Sequence, residues 1–204
     1  MGSRIAAHLA NAGVPVLLLD LAQPKSEPSL ASRAIGSLLK AKPAAFYDAA
    51  SAALITPGDF DHDLPELKFC DWIVEAVAED LAVKQALLER IQPHLVPEAI
   101  VTTNTSGLSI GAIARKASPE FRRRWFGTHF FNPPRYMRLV EVIPTSETDA
   151  GAAAAIADFV DRRLGKTVVF ARDTPNFIAN RIGVFSMLTA VRMMMEQELS
   201  IEEV

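Results

Sequence analysis

With one cysteine, Cys70, the chain cannot form an intrachain disulfide, so its cohesion must come from packing. That usage suits a reducing compartment, and a cytoplasmic location is expected. The chain also lacks a dominant charge: 21 basic residues stand against 24 acidic ones, for a net charge of −3. Nucleic acid is therefore not an expected partner, although backbone amides with one or two basic groups can still hold a polyphosphate locally. No uninterrupted apolar run reaches the ~18 residues of a membrane span. Residues 5–19 superficially resemble a signal peptide behind Arg4, but His8 and Asn11 interrupt them and Gly13-Val14-Pro15 forms a turn. Internal repeats and low-complexity tracts are absent as well.

What is present is a globular composition. Half of the 204 residues are hydrophobic, which excludes a disordered or collagen-like chain and allows one full domain plus part of another. Ile5, Leu9 and Ala12 share a helical face, with Gly13 at the expected C-terminal cap. A buried strand over 16–20 follows, then a helix over 31–39 and a Pro- and Asp-rich stretch over 57–65. Further strands are expected over 72–77, 100–103, 125–131, 139–143 and 167–170. Helices are expected around 81–91, 110–114 and 149–164. Strands that alternate with helices and lack hairpin turns imply an α/β fold with a doubly wound, mostly parallel sheet. After Asp173-Thr174-Pro175 the pattern becomes one long, mostly apolar helix over 177–198.

Several residues have usable chemistry. Gly2 opens the first helix and Asp20 ends the next strand, as do the last glycine of a G-x-G-x-x-G turn and the ribose-binding acid of a dinucleotide site. An ordinary helix start and a strand-end aspartate are the competing reading. Asn104-Thr105-Ser106 follows a strand at the edge where open parallel sheets bind ligands, though Ser106 and Ser109 also suit a turn and helix cap. His129 lies near a strand end, and Glu141 is a carboxylate inside an apolar strand, costly unless paired or solvated. A His129–Glu141 pair would explain both, the carboxylate fixing the imidazole tautomer and supporting its cation. His8, His62 and His94 have no such context and, with Cys70, no metal-ligand spacing, so no metal is expected. Met193-Met194-Met195 reads as helix packing surface.

In combination, Asn104-Thr105-Ser106, His129-Phe130-Phe131-Asn132-Pro133, Leu139-Val140-Glu141-Val142 and the run from Asp173-Thr174-Pro175 to Asn180-Arg181 resemble the L-3-hydroxyacyl-CoA dehydrogenase family. The order and spacing match over essentially the whole chain. The resemblance implies a Rossmann-like NAD-binding domain over 1–173 and the beginning of a C-terminal helical domain over 174–204. It implies oxidation of 3-hydroxyacyl-CoA to 3-ketoacyl-CoA in fatty-acid β-oxidation, with NAD as cofactor and acyl-CoA as substrate. His129 would be the general base and Glu141 its orienting partner, while Ser106 and Asn180 would position the reacting oxygen. Gly2, Asp20, Glu79, Lys84, Ser106 and Asn132 match positions lining the NAD site. The family has a further strand and two more glycines ahead of the position of Gly2, so the domain is expected without its first strand. Lys40 and Lys42 are candidate counterparts of lysines that help hold CoA. A homodimer, or fusion to other β-oxidation domains, is compatible with the resemblance. A catalytically silent interaction domain and a dehydrogenase of another 3-hydroxy acid are the alternatives.

Overall fold

The computed structural model describes residues 1–24 and 27–204. Its elements run α1 (Gly2–Asn11), β1 (Val16–Asp20), α2 (Leu30–Leu38), β2 (Ile55–Asp59), β3 (Trp72–Glu75), α3 (Leu81–Ile91), β4 (Ile100–Thr103) and α4 (Ile110–Ile113). They continue with α5 (Pro119–Arg123), β5 (Trp125–Phe130), β6 (Leu139–Pro144), α6 (Ala150–Arg162), β7 (Thr167–Phe170) and α7 (Ala179–Glu196). The strands form two sheets, a parallel pair β1-β2 and a five-stranded sheet in the order β3-β4-β5-β6-β7. Every pairing is parallel except β5 with β6. The architecture is Rossmann-like, as the alternation of strands and helices predicts.

Helix α1 joins the two sheets because its apolar residues recur on two faces. Ile5 and Leu9 pack with Phe126, Val140 and Val142 of the larger sheet. Ala6, Ala7 and Ala10 pack with Ile55 and Leu38 beside the smaller one. The opposite face of the larger sheet is covered by a cluster of Leu88, Ile91, Ile110, Ile113, Trp125, Ile143 and Phe177. Each such side chain contributes roughly 1.5–3 kcal/mol by leaving water. Helix caps set the register: Ser29, Asp80, Ser109, Ser118 and Asp149 each accept a backbone N–H of the turn that follows.

Two elements depart from the sequence expectation. Strand β2 lies at 55–59, overlapping the Pro- and Asp-rich stretch, where no strand is expected. Its Pro57 sits opposite Leu18, and β2 pairs only with β1, so a residue without an N–H is tolerated on this edge strand. The short helix α5 was not anticipated; Ser118 caps it and Pro119 occupies its first position. Among the described residues, no helix is long and apolar enough to cross a membrane.

Candidate active site

The antiparallel return from β5 to β6 decides the chemistry of the site. The loop over 131–138 brings β6 back beside β5 in a register that sets His129 directly opposite Glu141. Opposed residues of an antiparallel pair project to the same face, so the two side chains meet without a special turn. His129 Nδ1 lies 2.8 Å from Glu141 Oε2. Both groups are buried, the His129 residue 5% exposed and the Glu141 residue 0%. An ionised carboxylate only accepts, so Nδ1 carries the proton and Nε2 is left as the basic atom. Nε2 has no hydrogen-bond partner among the described residues. Phe131 and Phe177 flank the ring, with centroids 4.5 and 5.8 Å away.

Glu141 has a second task. Its Oε1 accepts the amides of Ile178 and Ala179 at 3.0 and 2.9 Å, at the start of α7. Asn180 lies in that same first turn, half-buried. The carboxylate that holds the histidine therefore also holds the helix carrying Asn180.

Ser106 follows the carboxyl end of β4 on an exposed loop, as its position after a strand predicts. Asn104 anchors the loop by accepting the Phe130 amide at 2.9 Å. Glu79 Oε1 takes the Thr105 hydroxyl, the Ser106 amide at 2.9 Å and the Gly107 amide at 3.2 Å. Burial would raise the Glu79 pKa, but these hydrogen bonds and the Lys84 ammonium outweigh it and hold the carboxyl below its usual range.

Lys84, matched above to the NAD site, is 1% exposed, with its ammonium 2.8 Å from Glu75 and 3.4 Å from Glu79. Glu75 was not singled out from the sequence. It accepts from Lys84, from the Val77 amide at 2.7 Å and from the Thr103 hydroxyl at 2.6 Å. The signal was available: Glu75, like Glu141, is an acid in an otherwise apolar strand.

Apart from Gly2, which opens α1, the residues matched to a dinucleotide lie at or after the carboxyl ends of parallel strands. Asp20 ends β1, and its Oδ1 accepts the Leu21 amide at 2.8 Å. Beside it, where β2 ends at Asp59, lies a cleft of about 260 Å³ lined by Gln23, Glu27, Ser29, Asp59 and His62. A Cβ on Gly2 would stand 3.4 Å from that of Ala76, so the start of α1 approaches the end of β3 closely, as a glycine there allows. No side chain caps α1, and no acid lies in its first turn. An uncapped helix start of this kind suits the pyrophosphate of a dinucleotide, and Asp20 suits its ribose. Asn132 lies exposed just past β5, on a loop pinned by Lys166, which donates to the carbonyls of Pro134 and Met137. Arg135 of this loop donates to the carbonyls of Ala44 and Phe46, and both Lys40 and Lys42 are exposed nearby in sequence.

Parallel strands, one ending in an acid, an open helix start and a buried His–Glu pair describe a dinucleotide-binding domain. The chain belongs to the 3-hydroxyacyl-CoA dehydrogenase, NAD binding domain family, whose sequence profile matches residues 1–174. It is 44% identical over 206 residues to a Deinococcus radiodurans protein named "Probable 3-hydroxyacyl-CoA dehydrogenase", covering all of this chain and 60% of that one. A Bacillus subtilis protein of the same name is 43% identical over 220 residues, again covering this whole chain but 28% of its own length. The chain thus spans less than two thirds of these relatives. Among solved structures, a 3-hydroxybutyryl-CoA dehydrogenase from Escherichia coli superposes with a TM-score of 0.82 at 31% identity, covering 97% of this chain and 41% of that one.

Proposed function

We propose that this domain serves NAD-dependent interconversion of an L-3-hydroxyacyl-CoA and its 3-ketoacyl-CoA, as in fatty-acid β-oxidation. The observation that carries the reading is the His129–Glu141 pair, a base whose free nitrogen stands at the edge where a dinucleotide would bind. NAD, when bound, supplies the hydride acceptor. His129 Nε2 takes the proton of the substrate hydroxyl, and Glu141 stabilises the imidazolium that forms. Ser106 and Asn180 orient the reacting oxygen, which becomes the carbonyl oxygen of the product. Glu79, Lys84 and Asn132 shape the cofactor side, with Lys84 acting through Glu75 and Glu79 because its own ammonium is enclosed. Asp20 would repel a 2′-phosphate and so favour NAD over NADP.

Residues 174–204 are assigned to the start of a helical domain. Their helix α7 exposes Ile182, Phe185, Leu188 and Met195, a surface that suits either the remainder of such a domain or a second copy of the chain. A relative of which this chain is 28% also accommodates fusion to other domains.

The test is loss of NADH absorbance with acetoacetyl-CoA, using the full-length protein. Turnover of the thioester but not of free 3-keto acids supports the proposal. Turnover of the free acids would move the substrate class, and none with either would point to a silent interaction domain.

A further inference from the structure

Between β7 and α7 the chain runs through a strap, residues 171–178, whose backbone is held in an unfavourable shape. Asn176 and Phe177 both have positive φ, 62° and 47°, a conformation that costs non-glycine residues energy and persists only where surroundings enforce it. Phe177 is enforced by burial: it is 2% exposed, packs with Ile110 and Ile113, and lies beside the His129 ring. The upstream end is enforced by Asp173. Its Oδ1 accepts the Ile110 amide, and its Oδ2 accepts the Ser109 hydroxyl and the Gly111 amide, all at 2.9 Å.

These three donors come from residues 109–111, close behind Ser106. Two of them are first-turn amides of α4 that Ser109 leaves free, since its own hydroxyl accepts the Ala112 amide; the third is the Ser109 hydroxyl, so a residue more than sixty positions away completes the cap. The strap also approaches the loop at Gly107, where an added Cβ would meet the Asn176 Oδ1 at 3.5 Å. On the other side of the same loop, Glu79 takes Thr105, Ser106 and Gly107. The Ser106 loop is thus gripped between two carboxylates, one fixed to the sheet through Lys84 and one carried by the strap that leads to Asn180.

We infer that Asp173 is a positioning residue: it ties the Ser106 loop to the strap, so that Ser106, His129 and Asn180 keep one mutual geometry. The inference rests on the function proposed above, in which Ser106 and Asn180 meet the reacting oxygen. A loop that shifts by about 1 Å is enough to cost up to ~10²-fold in turnover.

Two variants test it, Asp173→Ala, which removes all three contacts, and Asp173→Asn, which keeps the volume and one acceptor oxygen and so guards against loss of the fold. In the 204-residue chain, amide hydrogen exchange at Ser106 and Gly107 should quicken in both variants, more in Ala than in Asn. Unchanged exchange there would overturn the tether. In the full-length protein, Asp173→Ala should lower kcat with acetoacetyl-CoA by about tenfold or more. In a Ser106→Ala background the same change should cost less than about twofold, because its route of action is already gone. Equal losses in both backgrounds would overturn the positioning role and leave a purely structural one. Absence of turnover in the unsubstituted parent would refute the proposed function and, with it, the catalytic meaning of the tether, while exchange would still decide whether the tether exists.

Discussion

His8 and His129 are equally buried, each 5% exposed, yet only one of them faces a carboxylate. His8 sits on α1 with neither ring nitrogen hydrogen-bonded. Burial first, and then the Lys166 charge with a smaller push from Arg135, lower its pKa to about 4, against a partial pull upward from the Leu164 carbonyl. His129 instead faces Glu141 across two paired strands. Burial alone makes an imidazole a poor base, because the cation has nowhere to put its charge. Burial against a carboxylate, with the second nitrogen left unbonded, makes a directed one.

The largest effect should come from removing the directed base. His129→Gln keeps much of the side-chain volume and should lower kcat by about 10²-fold or more while leaving NAD affinity nearly unchanged. Steady-state kinetics and calorimetric NAD titration measure the two halves, and a near-normal kcat would remove His129 from the mechanism. Glu141→Gln should cost less, because the imidazole survives. Without its counter-charge the imidazolium is less stable, so the acidic limb of the pH–rate profile should move to lower pH. The same variant weakens the hold on the Ile178 and Ala179 amides, so α7 should show faster amide exchange at its first turn. An unmoved pH profile would mean that the pairing has no catalytic consequence.

A third comparison separates the two buried carboxylates. Glu75 is paired with Lys84, whose ammonium is enclosed, whereas Glu141 is paired with the His129 imidazole. Lys84→Met should therefore act on stability, leaving Glu75 buried and unpaired at a cost of about 3–5 kcal/mol. Urea unfolding measures it, and a loss below 1 kcal/mol would show that water reaches Glu75.

These contrasts mark how far the sequence could be read. The alternation of strands and helices was legible because buried parallel strands and amphipathic helices leave different periods, and β4 was anticipated residue for residue. The His129–Glu141 pair was legible because a carboxylate inside Leu139-Val140-Val142-Ile143 demands a partner. What assembles it, the single antiparallel pairing of β5 and β6, depends on the path of the loop over 131–138, which no local period reports. Strand β2 was hidden by Pro57 and Gly58, residues that argue against a strand wherever edge placement is unknown. The three contacts of Asp173 span more than sixty residues, and nothing near Asp173-Thr174-Pro175 announces them.

The smallest expected effect belongs to His8, and it concerns acid stability alone. An unfolded chain protonates this residue as pH drops below its ordinary value of 6.5, whereas the folded protein resists until about 4. The unfolded state therefore binds more protons in that window. The stability contributed by keeping His8 neutral is complete above about pH 6.5, is lost progressively as pH falls towards 4, and changes no further below it. Replacing His8 with Leu, a side chain of similar size, removes the proton acceptor. At pH 7.5 the variant should differ from the parent by about 1 kcal/mol or less, as volume-conserving core changes do. At pH 4.5 it should be the more stable of the two relative to that baseline, with kcat at neutral pH untouched. All other titrating groups are common to both proteins, so the difference between their urea midpoints at the two pH values isolates His8. If that difference is zero, water or a shifted side chain accommodates the protonated ring, and the orphaned imidazole is no liability in acid.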